Sequence, residues 1–441
     1  MNGKFFSIVK KNRPIIGWQL FLRSSFFLFS FFLPLNTRLS NAFLIVSMVL
    51  AVIFLHQNPN ARNLGVQKKM LIYSVLPFFL LHIMGLLYTS YLEDGYRYLE
   101  KTISFLLVPI IFLFFRREQL LQILSVLLKG LLCGSVISVL VLVGLNLSNY
   151  FLNRETYYIS RDLFDYYHTY QYYTKPLNQH PTYLGLYYLT SLIFMNEILQ
   201  RIWIKITLVI VFLIGFLFLN SRIIFLVILL SMILFVLIWG YRLLKIKKYK
   251  LLLMYILGLG IFLFTTLKFI SGTYIGYRIK NIYKFEISTE NEEKFNSKAK
   301  SNPRMSRWIS SLKLVEERPL FGYGIADEYP NLKIQFEKDK MYVASKMGYN
   351  AHNQFIGYAI RFGMVGVFLL CFFFLINAKL ALTIKNYRYF VLILIVFCVA
   401  MVENFFDRNY GITFSAVFFT LFSYIGFQTL KSNIENQKLN S

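Results

Sequence analysis

Long apolar runs of about 17 to 25 residues, separated by charged or turn-rich breaks, follow one another along the chain, and each is long enough to cross a bilayer as an α-helix. The pattern predicts an all-α integral membrane protein with about twelve transmembrane helices. The predicted spans lie near residues 18–35, 40–56, 70–88, 98–115, 123–147, 182–199, 203–220, 223–243, 251–270, 354–376, 389–405 and 411–430.

Two long polar breaks divide the chain into three parts. Residues 1–270 are predicted to contain transmembrane helices 1–9, with a shorter external loop at 148–181. Residues 271–353 form a large loop, partly helical, and residues 354–441 contain helices 10–12 and a tail.

The distribution of basic residues predicts the orientation. The two tails and one set of alternate loops carry 21 Lys and Arg residues, whereas the opposite short loops carry 7. By the positive-inside rule both termini are cytoplasmic, and both long loops then face outward. In a bacterium the outer side of the inner membrane is the periplasm, which lacks ATP and nucleotide sugars. A transfer reaction there needs a donor that already stores its energy, such as a lipid-linked diphosphate.

Composition narrows the partners and cofactors. The chain is 57% hydrophobic and only 15% charged, which excludes an ordinary soluble enzyme. A net charge of +26 indicates membrane lipid headgroups or phosphorylated substrates, and no nucleic acid is expected as a partner. The three Cys and five His residues show no metal-ligand spacing. We therefore predict no metal site and no cofactor.

The large loop contains a predicted amphipathic helix. Asn302 and Pro303 are typical of a helix start, and Pro319 ends the segment. Trp308, Leu312 and Val315 would share its apolar face. A turn with Gly322 and Gly324 follows, and the polar stretch after it, up to Lys346, is predicted to form a mobile flap.

A histidine ends this loop. His352 and Asn353 precede the tenth predicted span, and Gly363 and Gly366 follow one helical turn apart within it. Small residues at this spacing allow a neighbouring helix to approach closely. We expect that contact to fix the helix end that carries His352.

The pattern of His352-Asn353, nine residues and Gly363-x-x-Gly366 resembles the signature of the O-antigen ligase family, membrane enzymes related to O-antigen polymerases. Arg304, Trp308 and the segment 319–324 also resemble the block that precedes the histidine in that family.

This resemblance implies a GT-C-like membrane glycosyltransferase of lipopolysaccharide biosynthesis that is inverting and independent of metal. The implied donor is a glycan on undecaprenyl diphosphate, and the acceptor is a glycolipid such as the lipid A core. By the same resemblance His352 acts on the acceptor hydroxyl, while Arg222 and Arg304 bind the diphosphate. Arg307 is an alternative to Arg304.

The implied roles suit these residue types. Arginine remains protonated and binds phosphate oxygens through two parallel donors, so it can stabilise a diphosphate leaving group without a metal. A neutral histidine can accept the proton of a sugar hydroxyl. In the alternative interpretations, His352 is only an interfacial hydrogen-bonding group, Arg222 anchors lipid phosphate and Trp308 is an interfacial aromatic residue.

Three further polar residues are possible members of the site. Arg361 lies within the tenth span, where an arginine requires a partner or a polar cavity, and Glu403 is its predicted partner. Arg361 would serve either in such a pair or in a substrate contact. His180, at the outward start of the sixth span, could border the site.

Two other functions remain open at this point. An O-antigen or exopolysaccharide polymerase would use the same donor and nearly the same site, and only the acceptor would differ. A flippase or transporter for a lipid-linked glycan would instead require charged residues along a path through the middle of the membrane. The suspected functional residues gather at the outer edge, which favours a transferase.

Overall fold

The computed structural model describes residues 17–59, 68–152, 163–271, 276–277, 280–281, 287 and 302–439. These residues are helical with short connections, which confirms the all-α class. The N-terminal half contains α1 (Gly17–Phe32), α2 (Thr37–Gln57), α3 (Met70–Tyr73), α4 (Leu76–Leu86), α5 (Leu92–Lys101), α6 (Ser104–Leu113), α7 (Arg117–Leu152), α8 (Tyr170–Thr174) and α9 (Pro181–Ile198). The remainder contains α10 (Ile202–Leu219), α11 (Arg222–Lys245), α12 (Tyr249–Ser271), α13 (Arg304–Glu317), α14 (Glu328–Lys338), α15 (Tyr342–Met347), α16 (Gln354–Thr383), α17 (Tyr387–Ala400) and α18 (Asn409–Leu439).

Helices lie in all twelve predicted ranges, although two ranges are divided. Range 70–88 contains α3 and α4, where Pro77 stands in the first turn of α4, a position that proline tolerates. Range 98–115 contains the end of α5 and all of α6. Among the described residues, five helices are long and apolar enough to cross a membrane: Thr37–Gln57, Arg117–Leu152, Ile202–Leu219, Gln354–Thr383 and Asn409–Asn433. The count of twelve crossings and the orientation of the chain stay predictions.

Helix α18 lies at the centre of the bundle. It packs against α6, α7 and α16, and its aromatic side chains Phe414, Phe418, Phe419 and Phe422 are fully buried. Burial of such large apolar surfaces against neighbouring helices fixes the bundle through close packing. The bundle is therefore a firm support for the loops at its ends.

Helix α16 is kinked at Gly363, which has φ 61° and ψ −153°. The break prevents the amide of Met364 from bonding within the helix, and it donates instead to the Pro319 carbonyl at 2.8 Å. The carbonyls of Ile360 and Arg361 accept from the amides of Tyr323 and Gly324 at 2.9 and 3.0 Å. The segment 319–324 thus satisfies the backbone groups that the kink leaves open.

The kink corrects the predicted role of the two glycines in α16. An added Cβ at Gly363 would overlap the Leu320 carbonyl, and one at Gly366 would crowd Phe362 and Tyr358 of the same helix. These glycines therefore permit the kink and the docking of the 319–324 segment, and the contact is not with a neighbouring membrane helix. Helical spacing alone predicted a packing face because it assumed an unbroken helix.

Residues 302–350 form a compact unit, the loop lobe, built from α13, α14 and α15. Its core contains Leu314, Leu332 and Phe336, which pack against Ile360 of α16. The predicted mobile flap is therefore wrong for the described part of this stretch, because α14 and α15 bury apolar side chains at helical spacing within it.

The loop lobe also corrects two details of α13. Asn302 does not cap the helix; its side-chain oxygen accepts from the amide of Ala344 at 3.0 Å. The buried face contains Arg307, Ser310 and Leu314, whereas Leu312 is exposed. The prediction placed the buried face on apolar residues alone, but the helix buries hydroxyl groups that bond within the lobe.

Candidate active site

His352 lies where the loop lobe meets the first turn of α16. Its φ of +48° is a left-handed conformation that is uncommon for a residue other than glycine. Its amide donates to Asn350 Oδ1 at 3.0 Å, and the indole of Trp308 donates to the Ala351 carbonyl at 2.8 Å. Such backbone conformations persist where surrounding contacts hold them, and they cluster at functional sites. Trp308 is therefore part of the support of this loop.

Asn353 connects His352 to a second segment of the chain. Its side chain caps α16 by accepting from the amides of Phe355 and Ile356 at 2.9 and 3.3 Å. Its own amide donates to Asn404 Oδ1 at 3.0 Å. This bond ties the start of α16 to the segment after α17.

Glu403 is the direct partner of the histidine ring. Nδ1 of His352 lies 3.2 Å from Oε2 of Glu403, and the glutamate side chain is only 7% exposed. Burial by itself raises the pKa of the Glu403 carboxyl, but the hydrogen bond to His352 and the nearby charges of His180, His352 and Arg304 outweigh it and lower the pKa to about 2. The carboxylate is therefore ionised at neutral pH.

The His352 ring is neutral at the same pH. Burial lowers its pKa below 6.5; the hydrogen bond and the charge of Glu403 raise it again only in part, and Arg307 and Arg304 lower it. Because an ionised carboxylate can only accept, we assign the proton to Nδ1 of His352, which donates to Glu403. Nε2 then carries the lone pair. A carboxylate that orients a histidine in this way prepares it to act as a general base.

Arg304 and Arg307 occupy different environments one turn apart in α13. Nη2 of Arg304 lies 3.6 Å from Oε1 of Glu403, and its side chain is 21% exposed. Arg307 is buried, donates to the Asn350 carbonyl at 3.3 Å, and stacks on the Tyr349 ring with its guanidinium carbon 5.1 Å from the ring centre. Arg304 is thus the more accessible of the two, while Arg307 supports the backbone before His352.

His180 lies near the site at the start of α9, and Arg222 is the first residue of α11. His180 caps α9, and burial lowers its pKa with smaller influences from Glu403, Arg408, His352 and Arg304. Those influences place His180 near the same charged group. Thr182 hydroxyl lies 3.4 Å from the hydroxyl of Ser221, the residue before Arg222. Arg222 begins α11 beside this contact. That Arg222 and His352 belong to one site stays a prediction.

Arg361 does not pair with Glu403 as predicted. Its ion-pair partners in the described residues are Glu328 and Asp407, while Glu403 faces His352 and Arg304. The prediction paired Arg361 with Glu403 because Glu403 lies at the outer end of a predicted span. Asp407, four positions further on, and Glu328 of the loop lobe lie closer to Arg361. Asn404, Glu328 and Asp407 are polar residues of the site region that the sequence analysis missed.

No described group of three or more His, Cys, Asp or Glu side chains could hold a metal ion. The geometry defines a helical membrane protein in which a histidine–carboxylate pair and an arginine meet beneath a loop lobe. Residues 207–371 match the family model described as O-antigen ligase, which confirms the resemblance over this segment. The matched range includes Arg222, Arg304 and His352, whereas Glu403 lies beyond it. Comparison with curated proteins finds no match.

Proposed function

We propose that the protein transfers a glycan from a polyprenyl diphosphate to a hydroxyl group of a glycolipid acceptor, as an O-antigen ligase does with the lipid A core. The family match supports a membrane glycosyltransferase of the ligase or polymerase type. We place the site at the periplasmic face of the bacterial inner membrane because basic residues are concentrated in the opposite loops.

The pairing of His352 with the ionised Glu403 carries this proposal. Their contact of 3.2 Å holds the ring with Nδ1 toward the carboxylate. In the proposed step Nε2 accepts the proton of the acceptor hydroxyl as its oxygen attacks the anomeric carbon of the donor sugar. The bond from that carbon to the diphosphate oxygen breaks, and the diphosphate leaves with the bonding electrons. Attack opposite the leaving group inverts the anomeric centre.

We assign the stabilisation of the leaving group to arginine. Negative charge develops on the departing oxygen, and fixed guanidinium donors that meet it there contribute a few kcal/mol each in comparable enzymes. Arg304 fits this role because it is partly exposed and lies beside Glu403. Arg222 is proposed as the second donor from the start of α11. Arg307 is proposed as a support of the His352 loop, since it is buried against Tyr349.

Incubation of purified protein in lipid nanodiscs with a polyprenyl diphosphate oligosaccharide and a defined acceptor tests the proposal. Transfer should be detected by the mass of the product, and His352→Ala should lose it. A wild-type level of transfer in His352→Ala would overturn the assignment of the base. Movement of the lipid-linked glycan between leaflets without any transfer would point to a flippase instead.

The acceptor separates ligase from polymerase. A ligase joins the donor glycan to lipid A core, whereas a polymerase joins it to another lipid-linked repeat unit. Offering the two acceptors separately gives products of different mass. In cells, a deletion strain that retains polymer on the lipid carrier indicates a ligase, and one that accumulates single repeat units indicates a polymerase.

A further inference from the structure

A buried ion cluster lies next to the proposed site but outside it. The side chain of Arg361 is 2% exposed, and its Nε lies 2.7 Å from Oε2 of Glu328. Nη1 lies 3.1 Å from Oδ1 of Asp407, and Nη2 contacts the second oxygen of the same carboxylate. The Tyr98 hydroxyl accepts from Nη1 at 2.5 Å. One guanidinium thus connects the loop lobe, α5 and the segment before α18.

Two hydrogen bonds connect the cluster to Asn353, the residue that follows the proposed base. Oε1 of Glu328 accepts from the side-chain amide of Asn404 at 3.2 Å, and Oδ1 of Asn404 accepts from the amide of Asn353 at 3.0 Å. Asn404 directly follows Glu403, and Asn353 directly follows His352. The network therefore includes Asn353 and Asn404, the residues that directly follow His352 and Glu403 in the chain.

The segment 401–408 joins α17 to α18 and carries Glu403. The Glu403 amide continues the hydrogen bonding of α17 by donating to the Val399 carbonyl at 2.9 Å, and beyond it only Phe405–Asp407 forms a single 3-10 turn. Three residues on one face of α16 hold it: Gln354 accepts from the amide of Phe406 at 2.7 Å, Arg361 binds Asp407, and Gly357 leaves room for Asn404.

We propose that Arg361 is a positioning residue for the transfer reaction: by binding Asp407 and Glu328 together, it holds Glu403 against His352. This rests on the proposed function. Only a planar, multi-donor group can bind Asp407 through two parallel contacts and Glu328 through a third, so lysine cannot replace it. Buried ion pairs contribute little net stability on average, which makes a purely stabilising role a weak account of three buried charges.

Arg361→Lys tests the proposal because it keeps the charge and removes the fork. We expect kcat to fall about 10- to 100-fold, as small displacements of reacting groups do, with the donor KM changed less than about twofold. In the Glu403→Gln background the same change should cause no further loss, because residues that act through one another are not additive. Arg388→Lys is the control, since Arg388 pairs with Glu197 at a separate place in the fold. It should retain wild-type transfer.

A second measurement does not depend on transfer. Diethylpyrocarbonate modifies neutral histidine, so the pH midpoint of His352 modification, followed by peptide mass spectrometry, reports the environment of the ring. Because Glu403 raises the pKa of His352, the midpoint should fall in Glu403→Gln and move toward that value in Arg361→Lys. Glu328→Gln keeps the size of the side chain and is the second variant, to be used if Arg361→Lys does not accumulate. It should also lower the pH midpoint of His352 modification.

The outcomes separate the two proposals. Absence of transfer in the wild type would reject the proposed function, whereas a wild-type midpoint in both Arg361→Lys and Glu328→Gln would reject the positioning role alone. Multiplicative losses of activity in the Arg361→Lys, Glu403→Gln double variant would also reject it, because they would mean that Arg361 acts independently of Glu403.

Discussion

Glu403 carries the charge that we expect to matter most for the action of His352. Glu403→Gln keeps the size of the side chain but removes the acceptor that orients Nδ1, and we expect transfer to fall about 100-fold, in line with other carboxylates that support a histidine. Because the lowered pKa of Glu403 means that its ionised form stabilises the fold, the thermal unfolding midpoint should fall, and transfer is therefore compared at a temperature well below the midpoint of the variant. Glu316→Gln, an exposed glutamate of the loop lobe, is the matched control and should transfer normally.

The pH dependence follows from His352. The neutral ring is the active form, and burial places its pKa below 6.5. Activity should therefore be present above that pKa and decline only when the pH falls through it, so the acid limb of kcat/KM should lie below pH 6.5. Loss of the Glu403 charge removes an influence that raises this pKa, and the limb in Glu403→Gln should move to still lower pH. A limb that moves upward would contradict the assigned pairing.

Arg304 and Arg307 should behave differently although they are one turn apart. Arg304→Ala removes a partly exposed guanidinium, and we expect a loss of transfer of at least about tenfold with little change in the thermal midpoint. Arg307→Ala leaves the Asn350 carbonyl without this donor and the Tyr349 ring unpacked, which typically costs about 1–3 kcal/mol. Its midpoint should fall. Equal midpoints for the two variants would mean that Arg307 is not a support of the loop.

At the scale of elements, the kink of α16 joins the two parts of the motif that are distant in sequence. Gly363→Ala would place a Cβ atom at a position with positive φ and push the Leu320 carbonyl away from α16. We expect this to lower the free energy of unfolding by about 1–3 kcal/mol. We expect a lower thermal midpoint and reduced transfer. Gly144→Ala, in α7 where an added Cβ has nothing within 4 Å, is the control and should leave both unchanged. Retention of a wild-type midpoint in Gly363→Ala would show that the kink is not required.

The elements also show what could be predicted from the sequence. Apolar length located the helices because one property, span length, dominates in a bilayer. The kink at Gly363, the face of α13 and the partner of Arg361 were not predicted, since each depends on contacts between segments that are distant in the sequence. His352 could be proposed as a site residue because its neighbours in the chain form a distinctive motif, whereas its contact with Glu403 depends on how α17 packs beside α16.

On the scale of the whole molecule, the proposed reaction requires that the loop lobe and the adjoining end of the bundle face the side of the membrane where the donor is found. The proposed reaction draws its energy from the diphosphate bond of the donor and uses no nucleotide, which suits the periplasm. The basic residues of the opposite loops would then face the cytoplasm and its anionic lipids. A reversed orientation would expose the site to nucleotide sugars and remove the reason for a lipid-linked donor.

Single cysteines test this orientation directly. Lys333→Cys in α14 and Lys248→Cys before α12, both exposed positions, are introduced after Cys133, Cys371 and Cys398 have been replaced by alanine. In intact spheroplasts a membrane-impermeant maleimide should label Lys333→Cys, and Lys248→Cys should react only after permeabilisation. The reverse pattern would place His352 on the cytoplasmic side. The transfer could then proceed from a soluble nucleotide sugar, whose nucleoside diphosphate leaving group the arginines could bind through the same phosphate oxygens.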